Sequence, residues 1–336
     1  MAGSNETAAI TVAAAAPTHP GGWPAWPAYA LIDDLLPTLE RWSASGRRYA
    51  LATLIDVVGS SPRPVGSEMA VSESGDMVGY VSGGCVEAAV AAEALAVLAD
   101  GKPRLLDYGA GSPVLDVQLS CGGRIRILVR AVGADYAARL RRARNERQTL
   151  AVITDLQSGA VTFDDARIEA GLQAQRYVRH QLTPLRLILV GGDPIVLALL
   201  QLAPIFGIET VLLRPRGPEV ADDAPYEPQL YDRRGIDAAL ADLHVDSRCA
   251  IYTLSHDADT DHAVLTAALR SKAYCIGALG SRRKAQTRIE RLRGEGFDEA
   301  ALARLRTPAG LNIGARTPQE IALSIVGELI AERRAD

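Results

Sequence analysis

The second half of the chain alternates short, continuous apolar runs with helical segments. Apolar runs at residues 185–190 and 208–213 have the composition of strands that are buried on both faces of a parallel sheet. Between them, a Gly-Gly turn at Gly191 is followed by a helical pattern over residues 195–206. This alternation predicts a Rossmann-like parallel sheet that begins near residue 183.

Later segments continue the same pattern. Two further apolar runs, at residues 249–254 and 273–276, flank a predicted helix over residues 259–270. Near the C-terminus, Thr317 is followed by a proline and, three residues on, by Glu320, which is the pattern of a capping box. We therefore expect a final helix directly after it.

The first half has a different pattern, in which short β-rich segments are joined by glycine turns. Predicted strands lie at residues 49–58, 68–72, 77–81, 104–108, 124–129 and 150–156. Predicted helices lie at residues 31–42, 88–99 and 134–147. The predicted fold class is therefore α/β: a mixed α+β domain over residues 29–182 is followed by the Rossmann-like domain over residues 183–336, and residues 1–28 form a disordered leader.

Length and composition fit a two-domain protein and argue against several classes of partner. The chain has 336 residues, of which 48% are hydrophobic and 23% charged, and its net charge is −4. That charge gives no reason to expect nucleic acid or an anionic membrane surface, and no apolar run approaches the ~20 residues of a membrane span. The four cysteines are widely spaced and no basic signal-peptide region precedes them, so we expect reduced thiols in the cytoplasm.

Two of the cysteines lie beside glycines. Cys85 directly follows Gly83 and Gly84 and precedes an alanine-rich helical run, so its thiol is predicted to lie near a helix N-terminus, where the dipole favours a thiolate. Cys121 directly precedes Gly122. A thiolate in such a loop can attack, carry sulfur or hold a soft metal. The alternative is that both cysteines are small buried hydrophobes.

A rigid loop after the first long predicted strand carries short hydrogen-bond donors. Residues 59–66 contain two glycines and two prolines, and among them lie Ser60, Ser61 and Arg63. Hydroxyls and a guanidinium beside exposed backbone amides suit a phosphate or pyrophosphate. The alternative is a purely structural turn.

The glycine turn of the second domain departs from the dinucleotide-binding fingerprint. Asp193 stands where a glycine would let a pyrophosphate approach, and its carboxylate would repel that group. The next strand ends at Arg214, where an acidic residue would hold a ribose hydroxyl. Both differences argue against ordinary NAD binding, although Arg214 and Arg216 could accept a phosphate instead.

Two further motifs follow predicted strands of the second domain. Ser255, His256 and Asp257 lie at the edge of the sheet where α/β proteins bind ligands. His256 and Asp257 could carry out acid–base chemistry or bind a metal, or Asp257 could simply cap the next helix. After the following strand, a helix opens with residues suited to an anion, namely Gly280, Ser281 and Arg282.

Taken together, these residues resemble the xanthine dehydrogenase accessory factor family, XdhC/CoxI. The matching segments are residues 59–63, 79–87, 120–123, 255–257, 276–283 and 310–325. The combination of GSSPRPVG, SGGCVE and GALGSRR is specific, and the segments extend over residues 50–331. The chain departs from the family pattern at Asp193 and Pro194, at Arg214 and at Asn312.

The resemblance implies an accessory protein rather than an enzyme, with an XdhC/CoxI domain ahead of a Rossmann domain. It implies that the protein binds molybdenum cofactor, as molybdopterin or its cytosine dinucleotide form. It further implies that the protein helps in sulfuration and inserts the cofactor into a molybdenum hydroxylase of the xanthine or carbon monoxide dehydrogenase type. A cysteine desulfurase or sulfurtransferase is the second implied partner, and a homodimer is the expected assembly.

The residues expected to serve this role follow from the matching segments. Cys85 is the expected key thiol and molybdenum contact, with Cys121 as its neighbour. No residue is assigned catalytic turnover. The expected cofactor-binding residues are Ser60, Ser61, Arg63, Gly83, Gly84, Cys85, Glu87, Cys121, Gly122, His256, Asp257, Gly280, Ser281 and Arg282.

Two other functions are compatible with the sequence. One is an NAD(P)-dependent oxidoreductase that uses the Rossmann domain. The other is a scaffold that docks a sulfurtransferase to its client without binding a pterin. Tight binding of NAD(P)H would favour the first, and client binding without a pterin would favour the second.

Overall fold

A computed structural model describes residues 32–112, 119, 122–164, 168–219, 226–255 and 257–333. The chain divides into two compact units. The first contains residues up to Val132 together with residues 156–159, and the second contains residues 133–155 and those from Ala160 onward. Most of residues 133–182, which the sequence predicts to belong to the first domain, thus group with the second unit. The domain boundary at residue 182 stays a prediction.

The first unit is built on a five-stranded antiparallel sheet. Its elements are α1 (Leu36–Ala44), β1 (Tyr49–Val58), β2 (Glu68–Ser72), β3 (Met77–Gly79), α2 (Glu87–Asp100), β4 (Arg104–Gly109) and β5 (Arg124–Ala131). The strand order is β3-β2-β1-β5-β4, and each neighbouring pair is antiparallel. The strands predicted at residues 68–72 and 77–81 pair as the antiparallel hairpin of β2 and β3.

Helix α2 packs its apolar face against this sheet. Val90, Ala94 and Val97 recur at the spacing of one helix face, and all three are fully buried. They belong to one core cluster with Ile125 and Ile127 of β5. This packing holds the first turn of α2 in place, and the loop that precedes the helix is built on that turn.

The second unit begins with a helix and a small antiparallel sheet. Its elements are α3 (Tyr136–Asn145), β6 (Leu150–Asp155), β7 (Val161–Asp164), β8 (Gly171–Gln173) and β9 (Arg176–Gln181), in the strand order β7-β6-β9-β8. Arg147 follows α3 with a φ of +51°. Its buried guanidinium donates to Asp246 (2.7 Å) and forms an ion pair with Glu209 (3.1 Å), which ties this region to the parallel sheet of the same unit.

The rest of the second unit is a six-stranded parallel sheet with helices. Its elements are β10 (Arg186–Gly191), α4 (Pro194–Leu202), a 3₁₀ turn (Ala203–Phe206), β11 (Glu209–Leu213), β12 (Leu230–Asp232), α5 (Ile236–Asp242), β13 (Cys249–Leu254), α6 (Ala258–Arg270), β14 (Cys275–Ala278), α7 (Arg282–Gly294), α8 (Glu299–Leu302), β15 (Leu305–Arg306) and α9 (Pro318–Arg333). The strand order is β12-β11-β10-β13-β14-β15, and all pairs are parallel. This is the Rossmann order, so the predicted Rossmann-like sheet is confirmed.

Alternate residues of β10 point into two separate cores. Leu187 and Leu189 pack with α4 and α9, whereas Ile188 and Val190 pack with α5, α6 and α7. The sheet is therefore covered by helices on both faces. The strand order reverses between β10 and β13, which places a crevice at the carboxyl ends of these two strands.

Most predicted elements appear with small shifts in their ends. The strands predicted at residues 49–58 and 249–254 match β1 and β13 residue for residue. Helix α1 begins only at Leu36 because Pro37 fits the first turn, where its missing N–H is not needed. The short elements β8, β9, β12, α5, α8 and β15 were not predicted. Within the described residues, no helix combines the length and the apolarity that crossing a membrane requires.

Candidate functional site

Three glycine-containing loops of the first unit lie together. They are residues 59–66 after β1, residues 80–86 between β3 and α2, and residues 122–123 before β5. A Cβ atom on Gly123 would overlap the carbonyl oxygen of Ser60, and one on Gly83 would lie 3.4 Å from Cγ of Pro62. The glycines thus let the three loops approach one another closely. Cys121 lies outside the described residues, so its expected place beside Cys85 stays a prediction.

The loop before α2 is wrapped around the carboxylate of Glu87, the first residue of the helix. Only 3% of the Glu87 surface is exposed. Its two oxygens accept hydrogen bonds of 2.7–3.2 Å from one hydroxyl and from backbone N–H groups, namely Ser82 Oγ and the N–H groups of Val81, Ser82, Gly83, Gly84 and Val86. The loop therefore forms a nest of donors whose centre is occupied by a side chain of the protein itself.

Two glycines allow the backbone to adopt the conformation that this arrangement requires. Gly83 has a φ of +87° and Gly84 a φ of +113°, a region that side chains disfavour. Burial by itself would raise the pKa of Glu87, but the hydrogen bonds from Ser82 and the loop amides outweigh it, so the pKa lies below its ordinary value. Glu87 is thus a buried carboxylate at neutral pH.

Cys85 lies on the same loop, and its side chain is exposed. It precedes the first residue of α2 by two positions, so the predicted location near a helix N-terminus is confirmed. Its backbone N–H donates to Ser82 Oγ (3.1 Å), and that hydroxyl donates to Glu87 (2.7 Å). The backbone that carries the thiol is therefore tied to the buried carboxylate, while the sulfur can meet a ligand or reagent from outside.

The other two described cysteines have a different environment. Cys249 and Cys275 are buried in strands of the second unit. Burial raises the pKa of Cys249 to about 11 and that of Cys275 to about 12. Both therefore stay protonated at neutral pH and fit the description of small buried hydrophobes.

Arg63 is engaged within the first unit. Its guanidinium lies 4.1 Å from the ring centroid of Tyr80, and Nη1 donates to the Tyr80 hydroxyl (3.1 Å). Nη2 forms an ion pair with Asp33 (2.6 Å), whose side chain is 70% exposed. Ser60 is exposed and Ser61 half-buried in the same loop. The loop thus presents hydroxyl groups, while the guanidinium already has an anionic partner.

The crevice of the parallel sheet is shaped by the residues that break the dinucleotide fingerprint. Asp193 caps α4 by accepting a hydrogen bond from the N–H of Val196 (3.0 Å), and Pro194 occupies the first turn. A Cβ atom on Gly192 would overlap the guanidinium of Arg214. Both predicted departures from the motif therefore have structural consequences, because the carboxylate caps the helix and the arginine covers the turn.

A cleft of about 620 Å³ opens beside β13 and β14, lined by Ser255, Asp261, His262, Gly280, Ser281, Arg283, Lys284 and Arg288 among others. Asp257 caps α6 through the N–H of Thr260 (2.8 Å), as its structural alternative predicts. Ser281 caps α7 through the N–H of Lys284 (3.4 Å). Arg282 is exposed beside it, and His256 lies outside the described residues.

A buried ion pair supports this cleft. Asp261 accepts a hydrogen bond from the hydroxyl of Thr253 (2.5 Å) and pairs with Arg288. Nε2 of His262 lies 2.7 Å from Oε1 of Glu295. Among the residues that the structure describes, no group of three or more histidine, cysteine, aspartate and glutamate side chains is arranged to hold a metal ion.

The predicted residues thus fall into two groups. Ser60, Ser61, Arg63, Gly83, Gly84, Cys85, Glu87 and Gly122 belong to the first unit, and Asp257, Gly280, Ser281 and Arg282 to the second. Sequence reasoning missed Ser82, which links Glu87 to Cys85, and Tyr80, on which Arg63 stacks. A hydroxyl residue four positions before the helix cap is a weak signal for Ser82, and nothing local marks Tyr80.

Two family profiles match separate parts of the chain. One is described as the XdhC and CoxI family and matches residues 42–109, which include the Cys85 loop and residues 59–66. The other is described as the XdhC Rossmann domain and matches residues 187–329, which hold most of the parallel sheet.

Individual proteins resemble the chain over nearly its whole length. It is 29% identical over 312 residues to the molybdenum cofactor insertion chaperone PaoD of Escherichia coli (strain K12), which covers 91% of this chain and 92% of PaoD. It is 23% identical over 336 residues to a probable xanthine dehydrogenase component of Bacillus subtilis (strain 168), covering 91% and 97%. A crystal structure from Bacillus halodurans, described as a xanthine dehydrogenase, is similar with a TM-score of 0.75 at 25% identity, covering 89% of this chain and 96% of the other.

Proposed function

Because the chain belongs to the XdhC and CoxI family, we propose that it is a chaperone that binds molybdenum cofactor and inserts it into a molybdenum hydroxylase of the xanthine or carbon monoxide dehydrogenase type. The similarity to PaoD over almost the full length of both proteins supports this role. The observation that carries it in the structure is the exposed Cys85 thiol on a loop held by Glu87. On this proposal the protein is an accessory factor and the cofactor is its cargo.

The first unit fits the chemistry of this cargo. Molybdenum cofactor carries a soft, thiophilic metal centre and a terminal phosphate. Cys85 would contact the molybdenum or position the incoming sulfur. Gly83 and Gly84 leave the surface of the loop free of side chains, so the cargo can approach the backbone. Ser60 and Ser61 would donate to the phosphate.

Arg63 would also bind the phosphate, by giving up its ion pair with the Asp33 carboxylate. Its ion pair with Asp33 involves a carboxylate that is 70% exposed. The Arg63 side chain itself is only 18% exposed, but water can solvate the carboxylate once it leaves, so a phosphate could take its place. The Cys121–Gly122 turn would complete this group of residues, with Cys121 as the second thiol.

The predicted residues of the second unit would by themselves form a site for a phosphate group. They are His256, Asp257, Gly280, Ser281 and Arg282. The basic first turn of α7 and the neighbouring cleft support an anionic ligand. The cargo would be molybdopterin or its cytosine dinucleotide form, which differ in mass once released.

The proposal includes two protein partners besides a second copy of the chain. A hydroxylase client receives the cofactor, and a cysteine desulfurase or sulfurtransferase supplies the sulfur. We expect a homodimer that works in the cytoplasm. A scaffold that only brings the two partners together is the version without pterin binding.

An NAD(P)-dependent oxidoreductase is the second candidate, because the strand order of the parallel sheet is that of nucleotide-binding Rossmann domains. The cap formed by Asp193 and the position of Arg214 against Gly192 argue against it. Fluorescence titration with NAD(P)H separates this candidate from the chaperone, since tight binding would favour the oxidoreductase.

The decisive experiment compares the intact chain with a Cys85→Ala variant. Molybdenum and pterin that copurify are measured by elemental analysis and mass spectrometry, and activation of the cofactor-free hydroxylase is measured in the same preparations. We expect Cys85→Ala to lower retention and activation at least about tenfold, the equivalent of ~1.4 kcal/mol of lost binding. Val65→Ala, which alters an exposed side chain of the 59–66 loop, serves as the matched control and should behave as the unaltered chain does.

Two results would count against the proposal. Equal retention and activation by the Cys85→Ala variant would remove the role assigned to the thiol. An unaltered chain that binds client and sulfurtransferase but no pterin would leave only the scaffold.

A further inference from the structure

The geometry assigns Glu87 a role different from that of a cofactor ligand: it is a positioning residue that fixes the backbone of the Cys85 loop. This inference rests on the proposed function only for the use that is made of the thiol. The conformation of the loop and its dependence on Glu87 can be tested without any cofactor.

The Glu87 carboxylate has no capacity left for a ligand. An ionised carboxylate offers about four lone-pair sites. Glu87 accepts from the Ser82 hydroxyl and from the N–H groups of residues 81–84 and 86, and only 3% of its surface is exposed. A cofactor bound outside the loop would therefore meet the loop's outer surface and the Cys85 side chain, but not this carboxylate.

Most N–H donors of the loop depend on this one acceptor group. Residues 80–86 belong to neither a strand nor a helix, so their N–H groups need partners outside regular secondary structure. Gly83 and Gly84 have no side chains that could supply packing. Without the carboxylate, the converging N–H dipoles would repel one another and the loop would have to open.

Ser82 connects Glu87 to the backbone of Cys85 through hydrogen bonds. Ser82 is 2% exposed, and its hydroxyl donates to Glu87 while accepting from the N–H groups of Cys85 and Val86, both at 3.1 Å. The Cys85 backbone is thus held at one remove from the carboxylate. Glu87 therefore acts through Ser82 to fix the position of the Cys85 thiol at the surface.

The test is hydrogen exchange of the full-length chain, measured by mass spectrometry on peptides that cover residues 80–100. In Glu87→Gln, the amide group keeps the size of the side chain but turns an NH₂ donor toward N–H donors. We expect exchange of the amides at residues 81–86 to accelerate by about tenfold or more, because several of their hydrogen bonds lose the acceptor. Glu93→Gln is the matched control, because Glu93 lies on the same helix in a half-buried ion pair with Arg104 and should leave the loop unchanged.

A second variant separates positioning from general loosening. Ser82→Ala removes the link to Cys85 but leaves most N–H bonds to Glu87, so exchange should accelerate mainly at Cys85 and Val86. Unchanged exchange in Glu87→Gln would overturn the inference. If Glu87→Gln unfolds the first unit, Ser82→Ala becomes the deciding variant. The inference would then be overturned if exchange accelerated equally at all of residues 81–86, or if it did not accelerate at all. A chain that binds no cofactor would defeat the proposed function and leave this result standing.

Discussion

The two units each place a pair of glycines and an acidic residue at the start of a helix. In the first unit, Gly83 and Gly84 lead to Glu87 at the start of α2. In the second, Gly191 and Gly192 lead to Asp193 ahead of α4. Both carboxylates lie where the helix dipole favours negative charge. The two turns look alike in sequence, yet they form different structures.

The difference lies in how many donors each carboxylate collects. Asp193 is an ordinary helix cap whose side chain accepts from the N–H of Val196. Glu87 accepts from most N–H groups of its loop, and that loop holds Cys85 at the surface. In the second unit a guanidinium, that of Arg214, covers the turn instead. A glycine–acid turn therefore indicates where a helix begins, and the geometry of the donors decides whether it also displays a reactive group.

The largest expected effect is a difference in stability between Glu87→Ala and Asp193→Ala. The first substitution leaves several buried donors without a partner at a cost of roughly 1–3 kcal/mol each, so we expect the free energy of unfolding of the first unit to fall by at least ~3 kcal/mol. The second removes one cap and should cost about 1 kcal/mol. Urea unfolding reports the first unit through Trp42, which is buried beside Tyr49, in a background of Trp23→Phe and Trp26→Phe. Hydrogen exchange in α4 reports the second, and equal losses would mean that Glu87 is only a cap.

Alanine substitutions of the glycines should give the reverse order. Gly191 has a φ of +142°, and a Cβ atom there would lie 2.6 Å from the carbonyl oxygen of Leu254. Strain and overlap together should cost about 2–4 kcal/mol in Gly191→Ala. Gly84 has a φ of +113° with open space around it, so Gly84→Ala should cost only the conformational strain of about 1–2 kcal/mol. Thermal unfolding of the two variants measures both losses of stability. A larger loss for Gly84→Ala than for Gly191→Ala would contradict the open space around Gly84.

Much of the fold could be predicted because its signals are local. The apolar run of β13 and the alternating pattern of the second half depend only on neighbouring residues, and the parallel sheet follows from them. The capping box is confirmed in both directions: the N–H of Thr317 donates to Glu320 (3.0 Å), and the N–H of Glu320 donates to the Thr317 hydroxyl (3.3 Å).

The parts that escaped prediction depend on contacts between distant residues or on side-chain direction. The sequence places Glu87 next to the cysteine loop, but it does not show that the carboxylate turns inward. Arg63 has the composition of a phosphate ligand, yet its partner Asp33 lies thirty residues away. Strands as short as β12 and β15 have too few residues to show a period, and they are ordered by the sheet that they join.

The smallest expected effect is a pH dependence of opposite sign at two buried glutamates. The pKa of Glu87 is lowered, so its contribution to stability is present above the ordinary value of 4.5 and is lost as the pH falls through the folded-state pKa. The pKa of Glu328 is raised by burial, although the Tyr252 hydroxyl (2.6 Å) and the N–H of Gly310 (3.0 Å) donate to it. Its favourable, protonated form is present below 4.5, and its contribution is lost as the pH rises through the raised pKa.

Glutamine substitutions isolate these two contributions from those of other carboxylates. Relative to the unaltered chain, Glu87→Gln should be most destabilising at neutral pH, and its deficit should shrink as the pH falls below 4.5. Glu328→Gln resembles the protonated acid, so its stability relative to the unaltered chain should rise as the pH increases from 4.5 to 8. Urea unfolding at several pH values, followed by Trp42 emission for the first unit and by hydrogen exchange in α9 for the second, measures both slopes. Hydrogen bonds outweigh burial at Glu87 and lower its pKa, whereas burial outweighs hydrogen bonds at Glu328 and raises its pKa. Two slopes of the same sign would contradict this difference between the two carboxyl groups.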